Sequence, residues 1–372
     1  MVDGGLITKR KLLGIALIIL CFVMLLPLVL IVSVQTNKVY WGAWAGEDYQ
    51  LSTIQAFEAQ IGKNLSIWNN MQWWYNSSDF NFAWMNDVRN DGLIPMVSWS
   101  PNNQADSSFV DLSSILNGSW DSYLTAWGQA SAAWGHPYFL RLMWEFNGNW
   151  VEPEGLYPYG SSAPDTQSAG NTPQEFVQAW QYIVNHVRAA EGGKDCITWI
   201  WCPAGIGDST TTLQALYPGD NYVNWVGTDV YPNDTTSGFG QNSDAEIASI
   251  RDVAPSKPFM ICEVGDQYPN NGEAWWTWFF SNIQTSYSYV KGVCIWQEPD
   301  AGFDVTSVAA FKQGISSGYF DSNSFGGINT TPISPLPRFP SEALALGISL
   351  PAFLALVSIA AWKIGKRRPS KN

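Results

Sequence analysis

Histidine is almost missing from this chain of 372 residues, which has only His136 and His186. Its five cysteines include no Cys-x-x-Cys pair. With so few imidazoles and such scattered thiols, neither a zinc enzyme nor a Ser-His hydrolase is expected, and no metal or cofactor is called for. Charge is scarce at 14%, and basic charge is scarcer still. Between residues 39 and 340 only 10 of the 19 Lys and Arg remain, against 30 of the 32 Asp and Glu, a net of −20. A surface that acidic repels phosphate, which excludes nucleic acid as a partner. What the chain does have is apolar: 46% of residues are hydrophobic and 15% aromatic, with 21 tryptophans. That excludes a disordered chain, a collagen-like repeat and a coiled coil.

The missing basic residues are gathered at the two ends. Residues 12–34 form an uncharged run of 23 after Lys9-Arg10-Lys11, long enough at about 1.5 Å per residue to cross a hydrocarbon layer of roughly 30 Å. The apolar part of a cleaved signal peptide is shorter, about 7–15 residues, and leads to a small-residue cut site. The run is therefore expected to be an uncleaved signal anchor, with a signal peptide as the alternative. Residues 343–362 form a second run, closed by Lys363, Lys366, Arg367 and Arg368. Positive charge outside both runs predicts cytoplasmic tails and an extracellular section between them, anchored in the cell membrane. The expected division is a tail and anchor at 1–38, a domain at 39–320, a Ser/Pro/Asn linker at 321–342, a transmembrane helix at 343–362 and a basic tail at 363–372. Five Asn-x-Ser/Thr sequons, at Asn64, Asn76, Asn117, Asn233 and Asn329, all lie in the outer section.

Within 39–320, short apolar runs alternate with helical patterns. Strands are predicted at 39–44, 65–68, 93–99, 138–145, 198–202, 225–230, 259–263 and 292–296. Their nearly continuous hydrophobicity suits parallel strands covered on both faces. Thr172-Pro173-Gln174-Glu175 reads as a capping box with proline at the first helical position. Phe176, Trp180, Val184 and Val187 then make one apolar face, Ile54, Phe57 and Ile61 a shorter one, and Ile247, Ile250 and Val253 another. Eight strand–helix units over this length predict an α/β fold, a (β/α)8 TIM barrel. The alternative, an open doubly wound sheet, lacks a glycine-rich phosphate fingerprint after any strand.

In such a barrel the C-terminal strand ends converge on one mouth. The fourth predicted strand ends at Glu145 and the seventh at Glu263, so the two carboxylates are expected to face each other there. A proton donor and a carboxylate on either side of a sugar acetal are what glycoside hydrolysis requires. Trp44, Trp73, Trp74, Trp99, Trp150 and Trp296, near strand ends, are expected to offer flat faces to pyranose rings. Trp68, Trp180, Trp199 and Trp278 are expected in packing. Arg141 is expected to face inward, either keeping a carboxylate ionised or forming a buried ion pair. Asp229, Glu298, Glu152 and Glu154 are expected in the cleft or at its rim.

The segments Arg141-x-x-Trp144-Glu145-x-Asn147-Gly148-x-Trp150, Gly227-x-Asp229-Val230-Tyr231 and Met260-Ile261-x-Glu263-x-Gly265 resemble glycoside hydrolase family 26. The resemblance implies a retaining barrel glycosidase acting on a β-linked polysaccharide, most often β-1,4-mannan, with mixed-linkage β-glucan or β-xylan as alternatives. It implies Glu145 as general acid/base and Glu263 as nucleophile, hydrogen-bonded by Tyr231. Trp296 would floor the sugar ring at the cleavage point and Trp150 would line the cleft. Arg141, Trp144, Asn147 and Trp99 complete the expected substrate-binding set. The chain departs from the family pattern at Trp144, where many members carry histidine. A non-catalytic surface carbohydrate-binding protein is the other reading, and two intact glutamates stand against it.

Overall fold

Eight apolar runs become eight parallel strands, and the eighth pairs back onto the first. The computed structural model describes residues 38–46, 48–74, 79–101, 111–147, 172–205, 210–232, 237–266 and 272–322. Both expected membrane spans and most of the linker lie outside them. Among the described residues no helix is long and apolar enough to cross a membrane.

The strands are β1 (Val39–Trp44), β2 (Ile67–Trp73), β3 (Ile94–Ser100), β4 (Tyr138–Leu142), β5 (Ile197–Trp201), β6 (Trp225–Val230), β7 (Phe259–Val264) and β8 (Val290–Trp296). Consecutive strands pair in parallel, and β1 joins both β2 and β8, so the sheet closes into a TIM-type barrel. A two-residue strand, β9 (Phe320–Asp321), pairs with the start of β1. Closure leaves the eight strands with no exposed edge, and the helices between them cover the outer face.

Apart from one bulge in β7, the strands divide their side chains by parity. Phe139 on β4, Met260 on β7 and Cys294 on β8 point into the barrel, together with Ile67, Ile94 and Met96. Their chain neighbours Leu140, Ile261 and Val293 point outward into the larger core beneath the helices. The helices follow their sequence signals. Helix α1 (Leu51–Ile61) buries Ile54, Phe57 and Ile61 and ends at Gly62, whose φ of 81° suits a residue without a Cβ. The capping box forms at Pro173–Glu191: the Glu175 amide donates to Thr172 Oγ1 at 3.1 Å, and the Thr172 amide to Glu175 Oε2 at 2.8 Å. That helix buries Phe176, Trp180, Val184 and Val187 against the barrel, each stabilising by roughly 1.5–3 kcal/mol.

Two departures from the sequence expectation bear on the mouth. β4 stops at Leu142 instead of continuing to Glu145, because Met143 and Glu145 adopt φ values of 44° and 56°. The extended ladder cannot run through left-handed residues. β7 carries a bulge: Asp229 pairs with Glu263 although Thr228 pairs with Ile261, so one β7 residue is skipped. The four cysteines among the described residues, Cys196, Cys202, Cys262 and Cys294, are buried and free.

Candidate active site

The bulge in β7 decides where Glu263 points. Simple alternation would send Glu263 outward, since Cys262 already faces the barrel interior. The extra residue turns Glu263 inward as well, a common use of bulges beside functional sites. There both carboxylate oxygens are engaged. Tyr231, just past β6, donates its hydroxyl to Oε2 at 2.6 Å, and Arg141 Nη2 on β4 pairs with Oε1. Burial, then the charges of Glu263 and Asp229, push the Tyr231 phenol well above its ordinary range, which keeps it a donor.

Arg141 is fully buried and spends its donors inside the barrel. Nη1 pairs with Asp229 Oδ1 at 2.7 Å and Nε donates to Ser98 Oγ at 3.0 Å. Ser98 in turn donates to Asn69 Oδ1 at 3.0 Å. Burial works against the guanidinium charge, but Asp229 and Glu263 outweigh it and hold its pKa well above the ordinary value. Asp229, also fully buried, is raised well above the carboxylate range by desolvation, against the pull of Arg141. Its Oδ2 has no hydrogen-bond partner among the described residues. One cation between two carboxylates is balanced when one of them carries a proton.

Glu145 approaches from the other side on the irregular turn after β4. Its amide donates to Cys202 O at 2.8 Å, while the Met143 amide donates to Trp99 O at 2.9 Å. The turn is thus stitched to both neighbouring strands, and this holds two non-glycine residues at positive φ. Asn147 locks the far end: its Oδ1 accepts from the Ala204 amide at 2.7 Å and its Nδ2 donates to Glu246 Oε1 at 3.2 Å. The Glu145 side chain is half-buried, and carboxylate oxygens of Glu145, Asp229 and Glu263 lie within 4.8 Å of one another. Donor atoms of Cys202, Asp229 and Cys262 converge equally closely. Either trio has the spacing of a metal site, but the Arg141 guanidinium already supplies positive charge beside both, through Asp229.

The tryptophans sort differently from expectation. Trp99 is fully buried on the outward face of β3, packed on Trp127 with ring centres 4.5 Å apart, so it cannot line the cleft. Parity could have shown this, since Ile94, Met96 and Ser98 take the inward positions. Trp74 joins the same outer cluster, 4.9 Å from Trp99. Trp144 is also buried, with the Arg141 guanidinium 5.2 Å above its ring and Trp73 edge-on. Asn147 and Arg141 likewise have no exposed surface, so both act behind the site and not on a sugar. Trp68, Trp180 and Trp199 are buried and Trp278 is partly buried in the core, as expected. Trp296 lies half-exposed at the mouth, stacked on Trp44 at 3.9 Å and 8°. Trp150, Glu152 and Glu154 lie outside the described residues. The residue given too small a part from the sequence is Asp229, although its place two before Tyr231 gives it the same inward parity.

A closed parallel barrel with facing carboxylates at the ends of its fourth and seventh strands suits the family named by its motifs, and the model of Glycosyl hydrolase family 26 matches residues 64–326. The chain belongs to glycosyl hydrolase family 26. Among curated relatives of this family 26 chain, Endoglucanase H of Acetivibrio thermocellus is 29% identical over 313 residues, covering 80% of the chain and 32% of that protein. A mannan endo-1,4-beta-mannosidase of Bacillus subtilis is 28% identical over 188 residues, 50% of the chain and 44% of that protein. The chain therefore spans less than half of either relative. Similar solved structures include a Bacillus subtilis mannanase, with TM-score 0.57 and 19% identity over 82% of this chain and 91% of that one. A Cellulomonas fimi endo-beta-1,4-mannanase gives TM-score 0.59 and 18% identity over 78% and 73%. At such identities the likeness concerns the barrel itself.

Proposed function

We propose that this protein is a retaining endo-β-glycanase that cuts a β-linked polysaccharide by double displacement. The observation that carries the reading is the convergence of Glu145 and Glu263 oxygens within 4.8 Å. That leaves room for the anomeric carbon between them but not for an interposed water, the spacing of retaining and not inverting enzymes. Glu263, with Oε1 on Arg141 and Oε2 on Tyr231, attacks the anomeric carbon. The glycosidic C–O bond breaks, and Glu145 gives its proton to the departing oxygen. Glu145 then takes a proton from water, whose oxygen attacks the same carbon and releases Glu263. The half-exposed face of Trp296 supplies an apolar platform for the ring being cut.

The substrate we propose first is β-1,4-mannan, in keeping with the family resemblance and the mannosidase relative. A mixed-linkage β-glucan is the second reading. It is favoured by Trp144, which is buried under Arg141 where a sugar-orienting histidine would otherwise stand, and by the wider match to an endoglucanase. We further propose that the barrel is displayed outside the cell between the two terminal spans, which the basic flanks support. Incubation of the full-length protein with mannan, lichenan, xylan and cellulose, with sizing of products and NMR of the first anomer released, tests the reading. Internal cleavage of one β-glycan with β-anomer appearing first is expected. An initial α-anomer overturns the double displacement, and release of monosaccharides alone overturns the endo mode.

A further inference from the structure

The segment after β8 makes contacts at the mouth that catalysis by the two glutamates does not by itself account for. Glu298 and Phe303 close a short antiparallel hairpin, with the Glu298 amide donating to Phe303 O at 2.8 Å and the Phe303 amide to Glu298 O at 3.0 Å. Its two ends reach different parts of the site. The Glu298 carboxylate accepts the indole N–H of Trp296 at 2.9 Å. The Phe303 ring packs against Tyr231, centres 5.4 Å apart and 62° between planes. It also covers Gly265, two residues beyond Glu263, where a Cβ would come within 2.6 Å of Phe303 Cδ1. Only glycine lets the ring come that close.

The hairpin is itself fixed to the barrel. The Gln297 amide donates to Trp44 O at 2.9 Å, and Gln297 Nε2 donates to Asp304 Oδ1 at 2.9 Å. The Val305 amide donates to Gln297 Oε1 at 3.0 Å. Trp44 is buried and stacks flat on one face of Trp296. The indole is therefore held by its plane through Trp44 and by its edge through Glu298, which leaves only the opposite face for a sugar.

Resting on the glycanase reading above, we propose that the Glu298–Phe303 hairpin is a positioning clamp in which Glu298 orients the Trp296 platform and Phe303 holds Tyr231 against Glu263. Neither residue touches the reacting atoms. Glu298 acts through Trp296 and should govern how well the sugar seats. Phe303 acts through Tyr231 and should govern turnover.

The test uses the full-length protein in detergent. Glu298→Ala should raise KM on the preferred polysaccharide on the order of tenfold with little change in kcat, as expected for one lost charge-assisted hydrogen bond. Glu298→Gln, whose amide oxygen can still accept, should restore KM. Phe303→Ala should lower kcat with KM nearly unchanged, and Phe303→Leu, which keeps apolar bulk, should recover most of it. A readout independent of activity is the 15N-indole resonance of Trp296, assigned by its disappearance in Trp296→Phe. It should move upfield in Glu298→Ala, hold its place in Glu298→Gln and shift in Phe303→Ala. Equal losses of kcat and KM quality in all four variants, or a Trp296 resonance indifferent to Glu298, overturns the clamp. If the native protein cuts no β-glycan the glycanase reading fails, and the resonance still decides whether the hairpin holds the indole.

Discussion

Two pairs of glutamates, one near the strand termini at each end of this barrel, have opposite surroundings. At the N-terminal end, Glu58 accepts from the Leu65 amide at 2.6 Å just before β2. Glu191 accepts from Ser131 Oγ at 2.7 Å and from the Cys196 amide just before β5. Burial pushes each of these carboxyls up to about 7. Neither forms an ion pair among the described residues; each fastens a helix end to the strand that follows it. At the C-terminal end, Glu145 and Glu263 face one another across less than 5 Å, with Arg141 and Tyr231 committed to one of them. The residue type is the same, so the difference teaches that direction along the strand separates a fastening from the pair proposed to react. The proposed pair has fixed donors on Glu263 and a half-buried, approachable Glu145.

The sharpest way to break that comparison is to remove the mouth carboxylates. Glu263→Ala should lose at least about 10⁴-fold in kcat/KM on both polysaccharide and aryl glycosides, since no covalent intermediate can then form. Full turnover by this variant would sink its assignment. Glu145→Ala should lose roughly 10²–10⁴-fold on polysaccharide but keep much of its rate on aryl glycosides, whose phenolate needs little protonation. Added azide should restore part of the loss. Aryl-glycoside cleavage that vanishes with Glu145 alone would mean the two roles are exchanged.

Arg141 sharpens the contrast, because it pairs a buried cation with the mouth carboxylates, whereas Glu58 and Glu191 form no ion pair among the described residues. Arg141→Met should destabilise the fold by about 3–5 kcal/mol, by leaving Asp229 and Glu263 buried without their cation. Adding Asp229→Asn should recover part of the melting temperature. A single variant that melts with the native protein would show that the pair is not strained by losing Arg141.

The smallest effect belongs to the N-terminal end. A carboxyl raised to about 7 in the folded state, against about 4.3 in the unfolded chain, favours the protonated form on folding. The stability it contributes is complete below about pH 4 and is lost as pH rises through about 7. Melting temperature should therefore decline between pH 5 and 8, and Glu191→Gln should flatten that decline without altering kcat. A slope unchanged by the substitution would place the titrating group elsewhere.

Much of this molecule was legible before any coordinates. Continuous apolar runs are the mark of strands buried on both faces, so all eight were visible, two of them with their ends correct. The capping box at Thr172 and the stop at Gly62 were local, and local chemistry decides helix ends. Glu145 and Glu263 could be picked out because strand direction alone carries their positions to one mouth. Other features depended on pairing between distant segments. Trp99 and Trp296 both lie near strand ends, yet one packs beneath the helices and the other stacks on Trp44 at the mouth. Which face each takes depends on the phase of the whole strand, not on its terminus.

Sequence by itself determined the number of barrel strands, the parallel closed architecture and which glutamates reach the mouth, because each follows from periodicity or from chain direction. Tertiary structure alone decided that Glu263 turns inward through a bulge, that Arg141 bridges it to Asp229, and that Asn147 serves the Glu145 turn instead of a ligand. A bulge is a mismatch between two strands, and an ion pair joins residues 88 and 122 positions apart. Neither has a signature in the order of residues along one strand; each exists only once the barrel has closed.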